Sequence, residues 1–208
     1  MKMTKRKAGF IIGLTGNLGA GKTTTAGLFA ALGAKIIDAD QITHQLIAPS
    51  GNCFKPVLKY FGRGILNQGQ IDRKKLADTV FRDKKKLDKL IGMIYPSLFS
   101  KIKHEITECK KNNQLIIIDA AQLLESGLNQ LTDIVVLVKA NQALQIQRAM
   151  KRLKMSRAEI KRRLKLQMPV KDKIKYADII IDNRAHLSQT KKQVEGIWQK
   201  LQQRNRVK

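Results

Sequence analysis

Five short apolar runs set the rhythm of the chain, at 10–14, 34–40, 114–119, 132–138 and 177–182. Each is nearly unbroken rather than alternating, as in Ile116-Ile117-Ile118, which is how a strand buried on both faces reads. Three of them end on acids: Asp38 and Asp40, Asp119, and Asp182. Between the runs, apolar positions recur with helical spacing. Thr23–Leu32 predicts a helix that Gly33 ends as a C-cap glycine does. Gln41–Ile47 predicts another, closed by Pro49 and Gly51. The stretch 141–167 is helical and divides where Ser156 and Glu159 form a capping box. From about 185 to 203 an amphipathic helix carries Leu187, Val194, Ile197, Trp198 and Leu201 as its apolar stripe. Strands alternating with helices in this order predict an α/β fold, a parallel sheet covered by helices on both faces.

The rhythm changes from 52 to 113. Short amphipathic helices are expected there, broken at Pro56, Gly62-Arg63-Gly64, Gly69 and Pro96, with no strand among them. This reads as a helical insert on one side of the sheet. The expected division of the single 208-residue domain is a core of 9–50, 113–140 and 166–208, an insert of 51–112 and a helical lid of 141–165. A basic leader over 1–9 and a basic end at 204–208 flank it.

Composition adds one anomaly. Apolar residues make up 43% and charged residues 27%, as in ordinary globular chains. No apolar run approaches a membrane span, and the run behind the basic Met1–Lys7 is too short for a signal peptide. Cys53 and Cys109 stand far apart without a partner motif, which predicts free thiols and a cytoplasmic setting. His44, His104 and His186 show no metal-ligand spacing. The anomaly is a net charge of +25, which suits polyanionic partners. Lysines such as Lys84-Lys85-Lys86 and Lys110-Lys111 fall between apolar positions, like exposed helix faces. Aromatic residues are only 5% and do not interleave with basic ones, which argues against a base-stacking nucleic-acid partner. Small anionic substrates, no membrane, and a monomer or weak homo-oligomer are expected.

The most specific chemistry lies between the first strand and the first helix. Gly16-Asn17-Leu18-Gly19-Ala20-Gly21-Lys22-Thr23 is a G-x-x-x-x-G-K-T phosphate loop in the right context, strand before and helix after. Its glycines let backbone N–H groups turn around an anion, and the helix N-terminus adds a positive dipole end. Asn17, Leu18, Gly19, Ala20, Gly21, Lys22, Thr23 and Thr24 are the expected ATP contacts. Lys22 is placed for the β- and γ-phosphates and the Thr23 hydroxyl for Mg²⁺.

Transfer to a hydroxyl further needs a carboxylate base, cations around the moving phosphate and exclusion of water. Ligands of parallel sheets bind at the carboxyl ends of the strands, where these acids fall. Asp40 ends a strand expected to neighbour the first and is the candidate base. Asp38, two residues earlier, shares its face if the strand reaches that far. The alternative for either acid is a helix N-cap ahead of Gln41. Asp119 either holds Mg²⁺ through water or caps its strand. Arg148 and Arg152 share a helix face and, with Arg163, fit a mobile lid; the alternative is solvent exposure.

Ordered motifs then carry a resemblance over nearly the whole chain. They are Ile12-Gly13-Leu14-Thr15-Gly16 through Gly21-Lys22-Thr23-Thr24, and Asp38-Ala39-Asp40 after Leu32-Gly33-Ala34. Next come Ile71-Asp72-Arg73 with Leu76, Val80-Phe81, Leu90 to Pro96, and Asp119 through Leu123, Leu124 and Glu125. Gln145, Arg148, Arg152, Ser156, Arg163 and Gln167 follow in the lid, and Ala177-Asp178 to Asn183 at the end. This set resembles the dephospho-coenzyme A kinases. The resemblance implies a P-loop NTPase-type fold with a helical substrate-binding insert and lid. It implies transfer of the ATP γ-phosphate to the ribose 3′-hydroxyl of dephospho-coenzyme A, with Mg²⁺. It implies Asp40 as base, aided by Lys22 and Arg148, with Arg148 in the lid and Asn183 near the adenine. It also implies Asp38, Asp40, His44, Arg73, Tyr95, Leu123 and Glu125 on the acceptor side. Three places depart from the family's pattern: His44 stands for an arginine, Tyr95-Pro96 for His-Pro, and Ala121-Gln122 for Pro-Leu.

Overall fold

The computed structural model describes residues 9–80, 82–110 and 115–206, with side chains as far as 203. The basic leader up to residue 8, Phe81, residues 111–114 (Lys111 and Gln114 among them) and the last two residues of the basic end lie outside the described residues. The chain divides into two compact units. One is built from the chain up to Ile37 and from Glu105 onward; the other is Asp38–His104.

All five apolar runs become strands of one sheet: β1 (Ile11–Thr15), β2 (Lys35–Asp38), β5 (Ile116–Asp119), β6 (Ile134–Lys139) and β7 (Ile179–Asp182), in the order β2-β5-β1-β6-β7. The pairs β1–β5, β1–β6 and β6–β7 run parallel. Leu14 lies opposite Asp119 and Thr15 opposite Leu137, so the start of the phosphate loop and Asp119 share the carboxyl edge. Acids ahead of two strands fix the opposite edge. Asp133 Oδ2 accepts from Ile11 N at 2.8 Å and Asp178 Oδ2 from Val135 N at 2.7 Å.

Two expectations about β2 are corrected. It is not the neighbour of β1, because the wholly buried β5 lies between them. Nor does the strand reach Asp40. The chain turns into α2 (Ala39–Leu46) after Asp38, whose carboxylate accepts from Gln41 N at 2.9 Å as the N-cap. Asp40 therefore stands in the first helical turn, and the shared-face argument from strand period does not apply.

The helices of the first unit are α1 (Lys22–Ala31), α6 (Gln142–Leu153), α7 (Arg157–Leu166), α8 (Val170–Lys173) and α9 (Leu187–Arg206). Gly33 follows α1 at φ 102°, the left-handed conformation that ends a helix cheaply only for glycine. The core gathers Ile12, Leu14, Phe29, Ile117, Val136 and Ile181 with Val194, Trp198 and Leu201 of α9. Leu187, expected in that stripe, is the first residue of α9 and is exposed. The capping box is present in full, Ser156 and Glu159 bonding each other's backbone N–H.

In the second unit, α3 (Phe54–Phe61) keeps Pro56 in its first turn, where the missing N–H costs nothing. A two-stranded hairpin, β3 (Leu66–Asn67) and β4 (Gln70–Ile71), occupies a stretch where no strand was expected. Two residues per strand are too few to show alternation. The available signal is Gln68-Gly69, whose positive φ values of 47° and 76° are those of a tight hairpin turn. Asp72 then starts α4 (Arg73–Val80), accepting from Lys74 N at 2.8 Å. Finally α5 (Lys84–Lys110), whose residues from Glu105 on belong to the first unit, runs through Pro96, where a break was expected. An interior proline costs about 3 kcal/mol. The buried stripe Ile94, Leu98, Ile102 and Ile106 continues on both sides, and burial at about 1.5–3 kcal/mol per side chain outweighs that loss.

Candidate active site

The phosphate loop is shaped by glycines with no room for a side chain. A Cβ on Gly19 would lie 2.1 Å from Gln145 O, and one on Gly21 would lie 1.9 Å from Asn183 Nδ2. Both have positive φ, 77° and 98°. Gly21 also begins α1 with no side-chain cap, and no acid stands in the first turn. The orphan N–H groups of a helix start thus meet no built-in anion, which is the arrangement a phosphate fits.

At the floor of the loop, Lys22 pairs with Asp119, their side chains 11% and 5% exposed. Thr23 and Thr24 are exposed at the start of α1. A hydroxyl and a carboxylate beside an anion cradle are hard oxygen donors of the kind Mg²⁺ shares with substrate phosphates. Among the described residues no group of three or more His, Cys, Asp or Glu offers an all-protein metal cage.

Two arginines of α6, the first helix of the expected lid, reach the rim of the same loop. Arg152 Nη1 donates to Thr23 Oγ1 at 3.2 Å, and Arg148 Nη1 donates to Asn183 O at 3.0 Å beside Gly21. Leu18 packs against the lid's own core of Ile146, Ala149, Ile160 and Leu164. Asn183 is buried. Its Nδ2 donates to Ala20 O and its Oδ1 accepts from Thr190 Oγ1, both at 2.8 Å, so its side chain braces the phosphate loop.

Two residues expected on the acceptor side are occupied elsewhere. Leu123 is fully buried, its methyls filling the space a Cβ on Gly13 would need. Glu125 Oε1 accepts from Met168 N at 2.9 Å and pairs with Lys173 Nζ at 3.0 Å. Lys173 is a residue the sequence reading missed. It has no exposed surface, and burial lowers its pKa from the ordinary lysine value while Glu125 pulls it back up. A lone lysine in a lysine-rich chain gives no signal; only Glu125 in a family motif hints at a partner.

The second unit holds a separate cluster. Asp40 and His44 lie four apart on α2 and so share a face. Arg73, the first residue of α4, brings Nη1 within 2.9 Å of each ring nitrogen of His44. A neutral imidazole has one bare nitrogen to accept from it. Burial holds the His44 pKa below its ordinary value and the Arg73 charge pushes the same way, with Asp40 and Asp38 opposing. At neutral pH the positive charge of this pair therefore sits on Arg73. Tyr95 is placed by α5, its ring 5.3 Å from that of Phe99 one turn on; burial raises its pKa.

A phosphate cradle at a strand end, with a cation beneath it and α6 arginines at its rim, makes this a P-loop kinase. The sequence profile of the dephospho-CoA kinase family matches residues 10–189. A dephospho-CoA kinase from Aquifex aeolicus is 42% identical over 191 residues, 91% of this chain and 96% of that protein. The structure of the dephospho-CoA kinase from Campylobacter jejuni matches with a TM-score of 0.69 at 26% identity, over 94% of this chain and 98% of that one. A Thermus thermophilus structure matches with a TM-score of 0.80 at 27% identity, over 94% and 99%. The chain belongs to the dephospho-CoA kinase family.

Proposed function

We propose that this enzyme transfers the γ-phosphate of ATP to the ribose 3′-hydroxyl of dephospho-coenzyme A, the last step of coenzyme A synthesis. The observation that carries the ATP half is the convergence of Lys22, Thr23 and Arg152 on an uncapped helix start preceded by the tight glycines Gly19 and Gly21. The backbone from Asn17 to Thr24 binds the phosphates. Lys22 leaves Asp119 enough to hold charge growing on the β–γ bridge, and Arg148 and Arg152 close over the γ-phosphate and keep water out. Thr23 would hold Mg²⁺, which supplies neutralisation of the phosphate oxygens.

The acceptor half belongs to the second unit. Asp40 accepts the proton of the attacking hydroxyl, exposed and one helical turn from His44. Arg73 binds an anionic group of the acceptor, with Asp38 starting the helix that presents both. Tyr95 contributes from α5, and the insert 51–112 serves as the acceptor-binding part. Leu123 and Glu125 support the site from behind, and Asn183 near the adenine does so through the phosphate loop. The buried free thiols Cys53 and Cys109 support a cytoplasmic setting, with the enzyme a monomer or weak homo-oligomer. Among the described residues no helix is long and apolar enough to cross a membrane.

The test is ADP release against a panel of dephospho-coenzyme A, nucleosides and nucleoside monophosphates, with and without Mg²⁺. Release that needs both dephospho-coenzyme A and Mg²⁺ is expected. Equal ATP turnover with and without that acceptor rejects the reading.

A further inference from the structure

A fully buried lysine at the floor of a phosphate site calls for a reason, because desolvating a cation is costly unless its partners are close. Lys173 Nζ donates to Ala121 O at 2.7 Å, lies 3.5 Å from Thr15 Oγ1 and pairs with Glu125. Thr15 is the last residue before the phosphate loop, and Ala121 lies two past Asp119. One ammonium thus joins the chain at the ends of β1 and β5. Its effect then passes outward. Glu125 takes the N–H of Met168, the carbonyl of Met168 takes Asn17 Nδ2 at 3.2 Å, and Gln167 Oε1 takes the N–H of Leu18 at 2.9 Å. Gln167 and Met168 are where the lid helix α7 ends. The exit of the lid is therefore fastened on one side to the phosphate loop and on the other to the Glu125–Lys173 pair.

We propose that Lys173 is a positioning residue: through Glu125 it holds the peptide of Met168 as the fixed pivot on which the lid brings Arg148 and Arg152 to the nucleotide. This rests on the kinase reading above. A buried charge pair and two loop hydrogen bonds meet where α7 ends. A pivot displaced by a fraction of an ångström misplaces the arginines without touching the acceptor.

Three full-length variants test it: Lys173→Met, the paired Lys173→Met/Glu125→Gln, which restores neutrality and keeps an acceptor for Met168, and Gln167→Ala, which leaves the pair intact. The readouts are Tm, KM for each substrate, kcat, and hydrogen exchange of 142–166 with and without a non-hydrolysable ATP analogue. The paired variant is expected to recover Tm, yet show KM for ATP raised about tenfold, KM for dephospho-coenzyme A within about twofold, and loss of analogue-induced protection of the lid. Gln167→Ala is expected to lose part of that protection at unchanged Tm. If the paired variant has normal Tm, normal KM for ATP and normal lid protection, Lys173 is only structural and the proposal falls. If Lys173→Met does not fold, the paired variant and Gln167→Ala decide. The exchange readout needs ATP analogue alone, so a wild-type protein that fails to phosphorylate dephospho-coenzyme A rejects the activity and still leaves the pivot testable.

Discussion

Beneath the phosphate loop polar side chains are sunk and braced: Lys22 against Asp119, Lys173 against Glu125, Asn183 against Ala20. In the 38–104 unit the chemistry sits at the surface. Asp40, His44 and Arg73 are all exposed on the helices that carry them, with Arg73 bonded to His44. The contrast fits what each is proposed to recognise. A polyphosphate is bound largely by backbone N–H groups, whose positions are fixed only if the loop is fixed. A ribose hydroxyl and its neighbours are met by side chains, which need only rigid stalks. Variants of the two regions should therefore fail differently, one in stability as well as rate, the other in rate alone.

Asp40→Asn is the strongest test on the exposed side. A general base is worth about 10²–10⁴ in kcat, and a loss of that order is expected with KM for ATP unchanged. Because Asp40 is exposed, Tm should stay within about 2 °C. A near-normal kcat removes Asp40 from the mechanism. A large fall in Tm breaks the comparison.

Lys22→Met is the matching test on the braced side. Loss of one preorganised cation should lower kcat by about 10²–10³. Here Tm should move too, by about 5 °C, since Asp119 at 5% side-chain exposure loses its cation. Activity loss at unchanged Tm would mean that the buried pair braces nothing.

The same division explains what was legible in the sequence. Backbone recognition leaves contiguous marks, so Gly16 to Thr23 and the five strands could be read directly, and the capping box divided the helical stretch 141–167 where the structure does. Side-chain constellations leave dispersed marks. Lys173 reaches Thr15 across 158 residues, and Arg73 reaches His44 across 29, distances over which no pattern of residue types is diagnostic. Local rules also misled where tertiary packing overrode them. Pro96 suggested a break that the apolar stripe of α5 bridges, and Asp40 looked like a strand end because apolar runs do not reveal where an N-cap cuts in.

His44→Arg probes the acceptor side more finely. It restores the family's usual residue and adds a permanent charge where the native pair carries one on Arg73. KM for dephospho-coenzyme A should fall about threefold, the scale of an exposed charge contact, with KM for ATP unmoved. A shift in KM for ATP would show that the two sides are not separable.

The smallest effect is in pH dependence, and it divides the causes at His44. The folded pKa lies below the ordinary 6.5, with burial as the larger cause and Arg73 the next. Between the folded value and about 6.5 the unfolded chain binds the proton first, so stability rises with pH across that window. Above it the ring is neutral in both states and contributes nothing; on acidification through the window, stability is lost. Wild type should therefore lose about 1 °C more in Tm from pH 7.5 to 5.5 than His44→Gln does, the ring being only partly buried and the effect screened. Salt separates the two causes, because it weakens the repulsion from Arg73 and leaves desolvation alone. If burial dominates, most of the difference survives at about 0.5 M salt. If it vanishes there, Arg73 sets the state of His44, and the acceptor cluster is electrostatic throughout.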